Sequence, residues 1–483
     1  MLRLIKPSQL RQAAVFGRTC GLRSLSTDMA EMMNEPRERM DYDVVIVGAG
    51  PAGLAAGIQL KKMAAETGKD LAVCIVEKGA EVGAHILSGN VFEPRALTEL
   101  IPNWRELDAP IDTPVTSDKF LVLPNETSSY SLPHAILPPE LHNDGNYIIS
   151  LSKLTRWLGD QAEELGVEIF PGFSASEVLY NTAGGVAGIA TRDVGIDKDG
   201  TAKPTFARGM ELHARQTLFA EGCRGSCSEE VMGKFNLRDG VEPQTYGLGL
   251  KEVWEIPEEK LVPGLVQHTL GWPLQKGLMD KTFGGSFLYH MKPNLVLLGF
   301  VVGLDYENPY LNPYMEFQQW KHHPAVSQHL EGGKCIAYGA RCLNEGGYHA
   351  IPKLTFPGGA LLGCSAGFLN SVKIKGSHTA LKSGQLAGEA VFEALTGGSV
   401  QSVAETGEID AGEGALEVTR YQSAMESPWV YDELKPVRNV HSAFHLGVGP
   451  GLIHAGLSTL ITRGKEPWTI PNTKVDSANA VVQ

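Results

Sequence analysis

Short apolar runs, turns and small-residue stretches follow one another in a fixed order along the first part of this chain. Asp43-Val-Val-Ile-Val47 is the β-branched run of a buried parallel strand. It leads directly into Gly48-Ala-Gly50-Pro-Ala-Gly53 and then a helical stretch, Leu54–Leu60. A second strand, Leu71–Val76, ends at Glu77. Ser176–Asn181 and Gly185–Ile196 read as meander strands, and Thr217-Leu-Phe-Ala-Glu-Gly222 as a strand running into a tight turn. From 246 to 305 the texture changes. Gly247–Ile256, Leu265–Leu274, Ser286–His290 and Leu295–Leu304 alternate like strands, the last two paired across Met-Lys-Pro-Asn. A Pro-started helix is predicted at Pro313–Lys321. The proline-rich Thr113–Asn146 reads as a long loop or hairpin. Beyond it, Gly358–Gly367 is an apolar strand entering a small-residue turn. A helix from Ser377 then carries Ala380, Gly384, Ala387, Val391 and Leu395 on one face.

This order predicts an α/β protein: a Rossmann-like nucleotide-binding domain of the glutathione-reductase type with a mostly β, α+β domain inserted. The expected boundaries are 41–245 with 345–430 for the discontinuous nucleotide domain and 246–344 for the insertion. A C-terminal helical segment follows at 431–470 and a polar, disordered tail at 471–483. A length of 483 residues allows two or three domains. Normal hydrophobic content, 43%, excludes a disordered chain.

Charge adds two points. Residues 1–27 hold five basic side chains (Arg3, Lys6, Arg11, Arg18, Arg23), three serines and no acid, which is the composition of a mitochondrial transit peptide. Removing those five from the 42 basic residues leaves 37 against 55 acids, so the body is strongly acidic and nucleic acid is not an expected partner. Seven scattered cysteines do not form a secreted disulfide framework, and Cys223-Arg-Gly-Ser-Cys227 lacks the Cys-x-x-Cys spacing. A reducing compartment is expected.

The glycine turn carries the first chemistry. Gly48 makes the tight turn, Gly50 lets the backbone approach a pyrophosphate, and Gly53 lets the helix pack on the strand. The helix N-terminus supplies N–H groups to the anion. Val44, Ala49, Pro51 and Ala52 belong to the same predicted site, and Glu77 stands where a carboxylate binds ribose hydroxyls. No second GxGxxG occurs. With Gly222 in one later turn, and Gly363, Ser365 and Gly367 in another, the order favours FAD over NAD. The helix from Ser377 can aim its N-terminal partial charge at a flavin carbonyl.

No stretch resembles a conventional membrane span. Asn439–Thr462 comes nearest, with Ile453, Leu457, Leu460 and Ile461 on one face of a helix begun at Pro450. About thirteen residues at ~1.5 Å each fall short of the ~30 Å hydrocarbon core, so the segment suits a helix lying in one leaflet or an ordinary buried helix.

Long stretches resemble the electron-transfer flavoprotein–ubiquinone oxidoreductase family. They include Asp41–Leu60, Gly83–Gly89, Phe219–Cys223, Glu242–Tyr246, Gly284–His290, Gly303–Tyr310, Trp320–Pro324, Ala337–Arg341, Asn344–Gly347, Ile351–Gly359 and Arg463–Trp468. The resemblance covers about 41–470. It implies an FAD enzyme on the matrix side of the mitochondrial inner membrane, in peripheral contact with it. Such an enzyme takes electrons from reduced electron-transfer flavoprotein and passes them to ubiquinone. The match also implies Ser88 as a further cofactor contact and Gly284–Gly285 as the backbone pair that a quinone ring approaches.

One departure stands out. Family members continue into a ferredoxin-like domain whose four cysteines hold a 4Fe-4S cluster, and none of the seven cysteines here has that spacing. A separate ferredoxin-like chain is one way to supply it. The flavin carries the redox chemistry, so no catalytic side chain or metal is expected; His290 is a guess for proton delivery to the quinone. The alternatives are a flavin-dependent reductase or hydroxylase of geranylgeranyl-reductase type, acting on a prenyl chain, or a non-catalytic FAD-binding remnant.

Overall fold

The computed structural model describes residues 32–87, 89–397, 402–403, 409, 415–427 and 429–472. The expected transit peptide at 1–27, Ser88 and all but two residues of the expected tail at 471–483 lie outside them. The chain divides into two units. In the smaller, whose described residues are 32–38 and 192–210, a hairpin pairs Val194–Ile196 with Ala202–Ala207, and Asp193 bridges to Arg208 at 2.6 Å. The predicted meander strand 185–196 is therefore broken at Arg192-Asp193.

The larger unit holds both main sheets. In the first, eight-stranded sheet the path runs Thr355–Phe356, Gly359–Leu361, Met210–Phe219, Glu38–Val47, Val73–Glu77 and Glu168–Pro171. Val44–Val47 pair in parallel with Val73–Val76, and Thr217–Phe219 with Gly359–Leu361. Both pairings are buried, as expected of strands covered on two faces.

The helix Pro51–Thr67 starts with Pro at its first turn and ends on Gly68 in the left-handed region (φ +66°). It lies against the helix Ser377–Thr396 at almost backbone distance. A Cβ on Gly384 would overlap the Ala52 carbonyl and stand 3.0 Å from the Ala55 Cβ, and one on Gly388 would stand 2.9 Å from the Ala56 carbonyl oxygen.

The second, seven-stranded sheet runs Lys334–Asn344, Tyr246–Glu255, Leu295–Gly303, Gly284–Met291, Leu265–Gly271, Ser117–Leu123 and Tyr130–Leu132. Its predicted strands stand within a few residues of their expected bounds. Two strands come from elsewhere: the proline-rich stretch forms a hairpin that joins this sheet, Leu265–Gly271 pairing in parallel with Ser117–Leu123. The β-rich layer thus draws on 117–132 as well as on 246–344. Phe300, Phe317 and Trp320 fill its core, and the Trp320 indole N–H donates to Thr269 Oγ1 at 2.9 Å.

A Cβ at Gly384 meets a backbone oxygen that cannot swing aside. Gly384→Ala is therefore expected to lose stability by about 1–3 kcal/mol from overpacking, more than the ~1 kcal/mol a helical Ala gains over Gly. Denaturant unfolding checks the sign.

Candidate functional site

Three turns meet at the carboxyl end of the first sheet. The Ala220 N–H donates to the Val47 carbonyl (2.9 Å), and the Leu362 N–H to the Phe219 carbonyl (2.9 Å). This brings the turns Gly48–Gly53, Ala220–Gly222 and Gly363–Gly367 together, where open α/β sheets bind ligands. Each glycine has its own reason. Gly48 has φ +105°, and a side chain there would overlap the Ala220 carbonyl. A Cβ on Gly53 would overlap the Gly48 carbonyl and stand 3.1 Å from Ile46 Cγ2. Gly50 differs: its φ is −81°, which any residue adopts, and a Cβ would meet nothing within 4 Å. Neither backbone nor packing demands glycine there. The space at the helix start is open.

Glu77 closes the turn from the next strand. One carboxylate oxygen accepts the Ala49 N–H at 3.0 Å and the other the Gly79 N–H at 2.6 Å. Val44 is fully buried beneath the turn, and Ala52 sits against Gly363, whose Cβ would stand 2.9 Å from its own. The Gly363 N–H donates to Ser383 Oγ (2.9 Å), and Ser365 Oγ donates to the Gly222 carbonyl (3.2 Å). Gly222 and Gly367 both take φ +87°. The expected cofactor residues among the described ones thus form one neighbourhood.

The second sheet reaches this neighbourhood through its edge strand. The Asn344 amide donates to the Cys223 carbonyl at 3.3 Å, and the Arg341 guanidinium donates to the His85 carbonyl at 3.2 Å. Gly284 and Gly285 begin a strand of the same sheet. Gly284 has φ +146°, and a side chain there would overlap the Val301 carbonyl; Gly285 would carry a Cβ 3.1 Å from the Thr269 oxygen. Gln275 fixes the pair from the side, accepting the Gly271 N–H at 2.8 Å and donating to the Thr282 (2.9 Å) and Gly284 (3.2 Å) carbonyls.

His290 is not near that pair. It stands five residues beyond Gly285 along the strand, ~17 Å away at ~3.3 Å per residue. It accepts the Val262 N–H at 3.1 Å and shares a hydrogen bond with His329 at 3.0 Å. Both ring nitrogens are thus engaged within the fold. Burial, with the charges of His329 and Lys119, pushes it down to about 4.

The start of the helix Ser377–Thr396 carries a charged cluster that sequence reading missed, because its members are scattered. Glu93, His378 and Glu433 are, among the described residues, the one group of three placed to share a metal ion. The Lys373 ammonium already lies between the two carboxylates, 2.5 Å from Glu93 and 2.7 Å from Glu433. His378 stacks on Trp429 and meets Glu433 at 2.9 Å. One ammonium is thus shared by the two carboxylates within the cluster. Next to the helix start, Lys375 is buried, donates to the Lys373 carbonyl at 3.1 Å and is pushed down to about 8 by burial.

Comparison with known proteins decides the family. Residues 246–343 match the model described as ETF-QO, ubiquinone-binding, and residues 46–105 the NAD(P)-binding Rossmann-like domain. Electron transfer flavoprotein-ubiquinone oxidoreductase, mitochondrial, of Mus musculus is 54% identical over 92% of this chain and 71% of its own length. The protein of the same name from Dictyostelium discoideum is 55% identical over 92% and 72%. The chain belongs to the electron transfer flavoprotein–ubiquinone oxidoreductase family. Solved structures give the fold alone. A geranylgeranyl bacteriochlorophyll reductase-like protein from Thermoplasma acidophilum superposes with TM-score 0.57 at 16% identity, over 91% of this chain and 95% of that one. A flavin-dependent brominase gives 0.55 at 15% identity, over 88% and 96%. The fold is that of FAD-dependent oxidoreductases, and the family's relatives are named mitochondrial.

Burial pushes the Glu433 carboxyl upward, but the bonds from His378 and Lys373 outweigh it and hold the group down at about 2, against an ordinary 4.5. A lowered carboxyl stabilises the fold fully above the unfolded value and ceases to do so as pH falls through the folded one. Acid unfolding of wild type should therefore steepen between about pH 4.5 and 2. Glu433→Gln should flatten that stretch in a stability-against-pH series.

Proposed function

We propose that this chain binds one FAD non-covalently and passes electrons from reduced electron transfer flavoprotein to ubiquinone. The observation that supports it best is spatial. The region matched as ubiquinone-binding and the glycine turn belong to one unit, and the Asn344–Cys223 contact joins the two sheets beside Gly222.

The residues present fit FAD, because the space before Gly50 is open while Gly48 and Gly53 are closed in by backbone. In this reading Val44, Gly48, Ala49, Gly50, Pro51, Ala52 and Gly53 hold the diphosphate side, with Ser88 a further contact. Glu77 holds the ribose, and Gly222, Gly363, Ser365 and Gly367 lie along the rest of the cofactor. FAD supplies the exchange between one-electron and two-electron steps. The protein binds and orients the cofactor, and the helix start at Ser377 offers partial positive charge to an electron-rich ring. The 4Fe-4S cluster finds no ligand set among the described residues: apart from Glu93, His378 and Glu433, no three potential ligands come together. No step is drawn through it.

Contact with the matrix face of the inner membrane belongs to the same reading. Leu446, Ile453, Leu460, Ile461 and Trp468 are exposed, as are Leu278 and Met279. The two groups are stitched together by the Gly449 N–H, which donates to the Leu278 carbonyl at 2.6 Å. Among the described residues no helix is long and apolar enough to cross a membrane. An acidic body gains nothing from anionic lipid, so the apolar surface supports the contact.

Two measurements test the reading. Gly50→Val fills the open space and is expected to give folded, colourless protein; stoichiometric yellow flavin in the variant rejects the diphosphate assignment. For the quinone, bound FAD is reduced directly with dithionite and its reoxidation by a short-chain ubiquinone is followed anaerobically. Gly285→Leu should abolish reoxidation while flavin content stays normal. Equal rates, or concurrent loss of FAD, would make the pair merely structural.

A further inference from the structure

We propose that His441 delivers a proton to one carbonyl oxygen of ubiquinone, drawing it from solvent through His445 and Asp305. This rests on the reading that puts the quinone at Gly284–Gly285. Phe283, the residue before that pair, meets the His441 ring edge to face with centroids 4.3 Å apart. His441 is 6% exposed, on the short helix Val440–Ala443, and neither ring nitrogen has a hydrogen-bond partner among the described residues. Leaving a buried polar group unsatisfied costs on the order of 1–3 kcal/mol. A ligand beside Phe283 would remove that cost.

Three titratable groups face the ring. His445, on the following turn, lies with its ring centroid 5.7 Å away. Glu345, just beyond the strand Lys334–Asn344, places Oε2 4.0 Å from Nε2. Asp305, just beyond the strand Leu295–Gly303, meets His445 Nε2 at 3.0 Å. Asp305 and His445 also line a pocket of about 280 Å³, together with Asp280, Lys281 and Glu316. The groups therefore form a file from that pocket to Phe283. Burial, with His445 adding to it and Asp305 opposing, holds His441 down at about 4. At neutral pH it is an uncharged imidazole, able to accept a proton on one nitrogen as it gives one from the other.

Ubiquinone becomes ubiquinol by gaining two electrons and two protons. The electrons come from reduced electron transfer flavoprotein, which is oxidised. In the proposed step a His441 N–H bond breaks and a quinone O–H bond forms. The other ring nitrogen takes a proton from an intervening water, which takes one from His445 in turn; His445, held by Asp305, is resupplied from water in the pocket. The second proton comes from water and goes to the other carbonyl oxygen.

The test uses the FAD-loaded chain, reduced with dithionite and reoxidised anaerobically by a short-chain ubiquinone across a pH series. His441→Phe and His441→Gln should keep their flavin and slow reoxidation at saturating quinone by on the order of 10²-fold. Half-saturation should change little, and the remaining rate should fall in proportion to proton concentration as pH rises. Asp305→Asn should slow it less, with the same pH trend. Separately, adding the quinone to ¹⁵N-histidine-labelled protein should shift the His441 ring resonances. If His441→Phe does not fold, the Gln variant and the spectrum still decide. Wild-type rates and pH profile in a flavin-replete His441 variant, or no shift of its resonances, overturn the proposal. If Gly285→Leu blocks reoxidation while the His441 variants do not slow it, the relay alone fails. If Gly285→Leu also runs at the wild-type rate, the quinone placement fails first.

Discussion

Backbone crowding where two helices and three strand ends converge sets the geometry of everything else in the larger unit. The helix Pro51–Thr67 must start within reach of the Gly48 carbonyl, and the helix Ser377–Thr396 must lie against its first turns. Gly48, Gly53 and Gly384 each sit where a Cβ would overlap a carbonyl oxygen. Close contact of this kind gains dispersion energy on every atom it brings together, and it fixes distances that larger residues would leave soft. The open space at Gly50 has meaning only because its neighbours are so tightly closed. A rigid rim leaves one place for an anion, at the positive end of a helix.

The parts of this arrangement legible in sequence were those written in contiguous residues. A β-branched run, a glycine turn and an acid at the next strand's end fall within 35 residues, Asp43 to Glu77, and local rules suffice to read them. The helix from Ser377 was equally plain, because its small residues repeat at helical spacing. The hairpin in 113–146 was legible as one of two possibilities, but its place in the second sheet was not. Its strand Ser117–Leu123 pairs with Leu265–Gly271, some 150 residues away, and only that partner makes Phe120 and Leu121 strand residues rather than loop. Histidine surroundings were equally hard to read from sequence. The ring nitrogens of His290 are taken up by the Val262 N–H and by His329, both distant in the chain. His441 arrives beside Phe283 from another part of the chain, and nothing in its local sequence marks it.

The cluster at Glu93, His378, Glu433 and Lys373 shows how a charged group can be placed near a cofactor region without becoming a site of its own. Two carboxylates share one ammonium, and one of them also meets the imidazole, so both carboxylates have partners within the cluster. Breaking one member would leave the others buried and uncompensated, which is costlier than removing the whole set. Such a network anchors the start of a helix whose N-terminus is expected to face the flavin ring. Lys375, by contrast, has only a backbone carbonyl to bond, and burial makes its charge easier to give up.

The C-terminal segment explains why an apolar face can remain exposed in a well-formed fold. Its inner side is held by a set of buried polar bonds. Buried Glu466 accepts from Asn439 Nδ2 (3.0 Å), Ser458 Oγ (2.8 Å) and Thr462 Oγ1 (2.7 Å), and Asn439 Oδ1 accepts the Ile470 N–H (2.7 Å). Asn472 donates to the Gly346 carbonyl (2.7 Å), tying the segment to the end of the second sheet. These polar bonds act together with a small apolar cluster, in which Val437, Val440, Phe444, Val448 and Ala455 pack against Leu270 and Phe283, to hold the segment in place. The helix Val448–Gly456 gives way to a wider turn at Leu457–Thr462, which ends on Arg463 at φ +50°. That change of pitch leaves Leu457 half-buried and turns Ile453, Leu460 and Ile461 outward. A segment held from its polar side is free to offer its apolar side to a surface. The same segment carries His441 to Phe283, so the element that presents apolar side chains outward also reaches the proposed quinone site. A hydrophobic quinone would then leave lipid and meet its proton source on one continuous piece of structure.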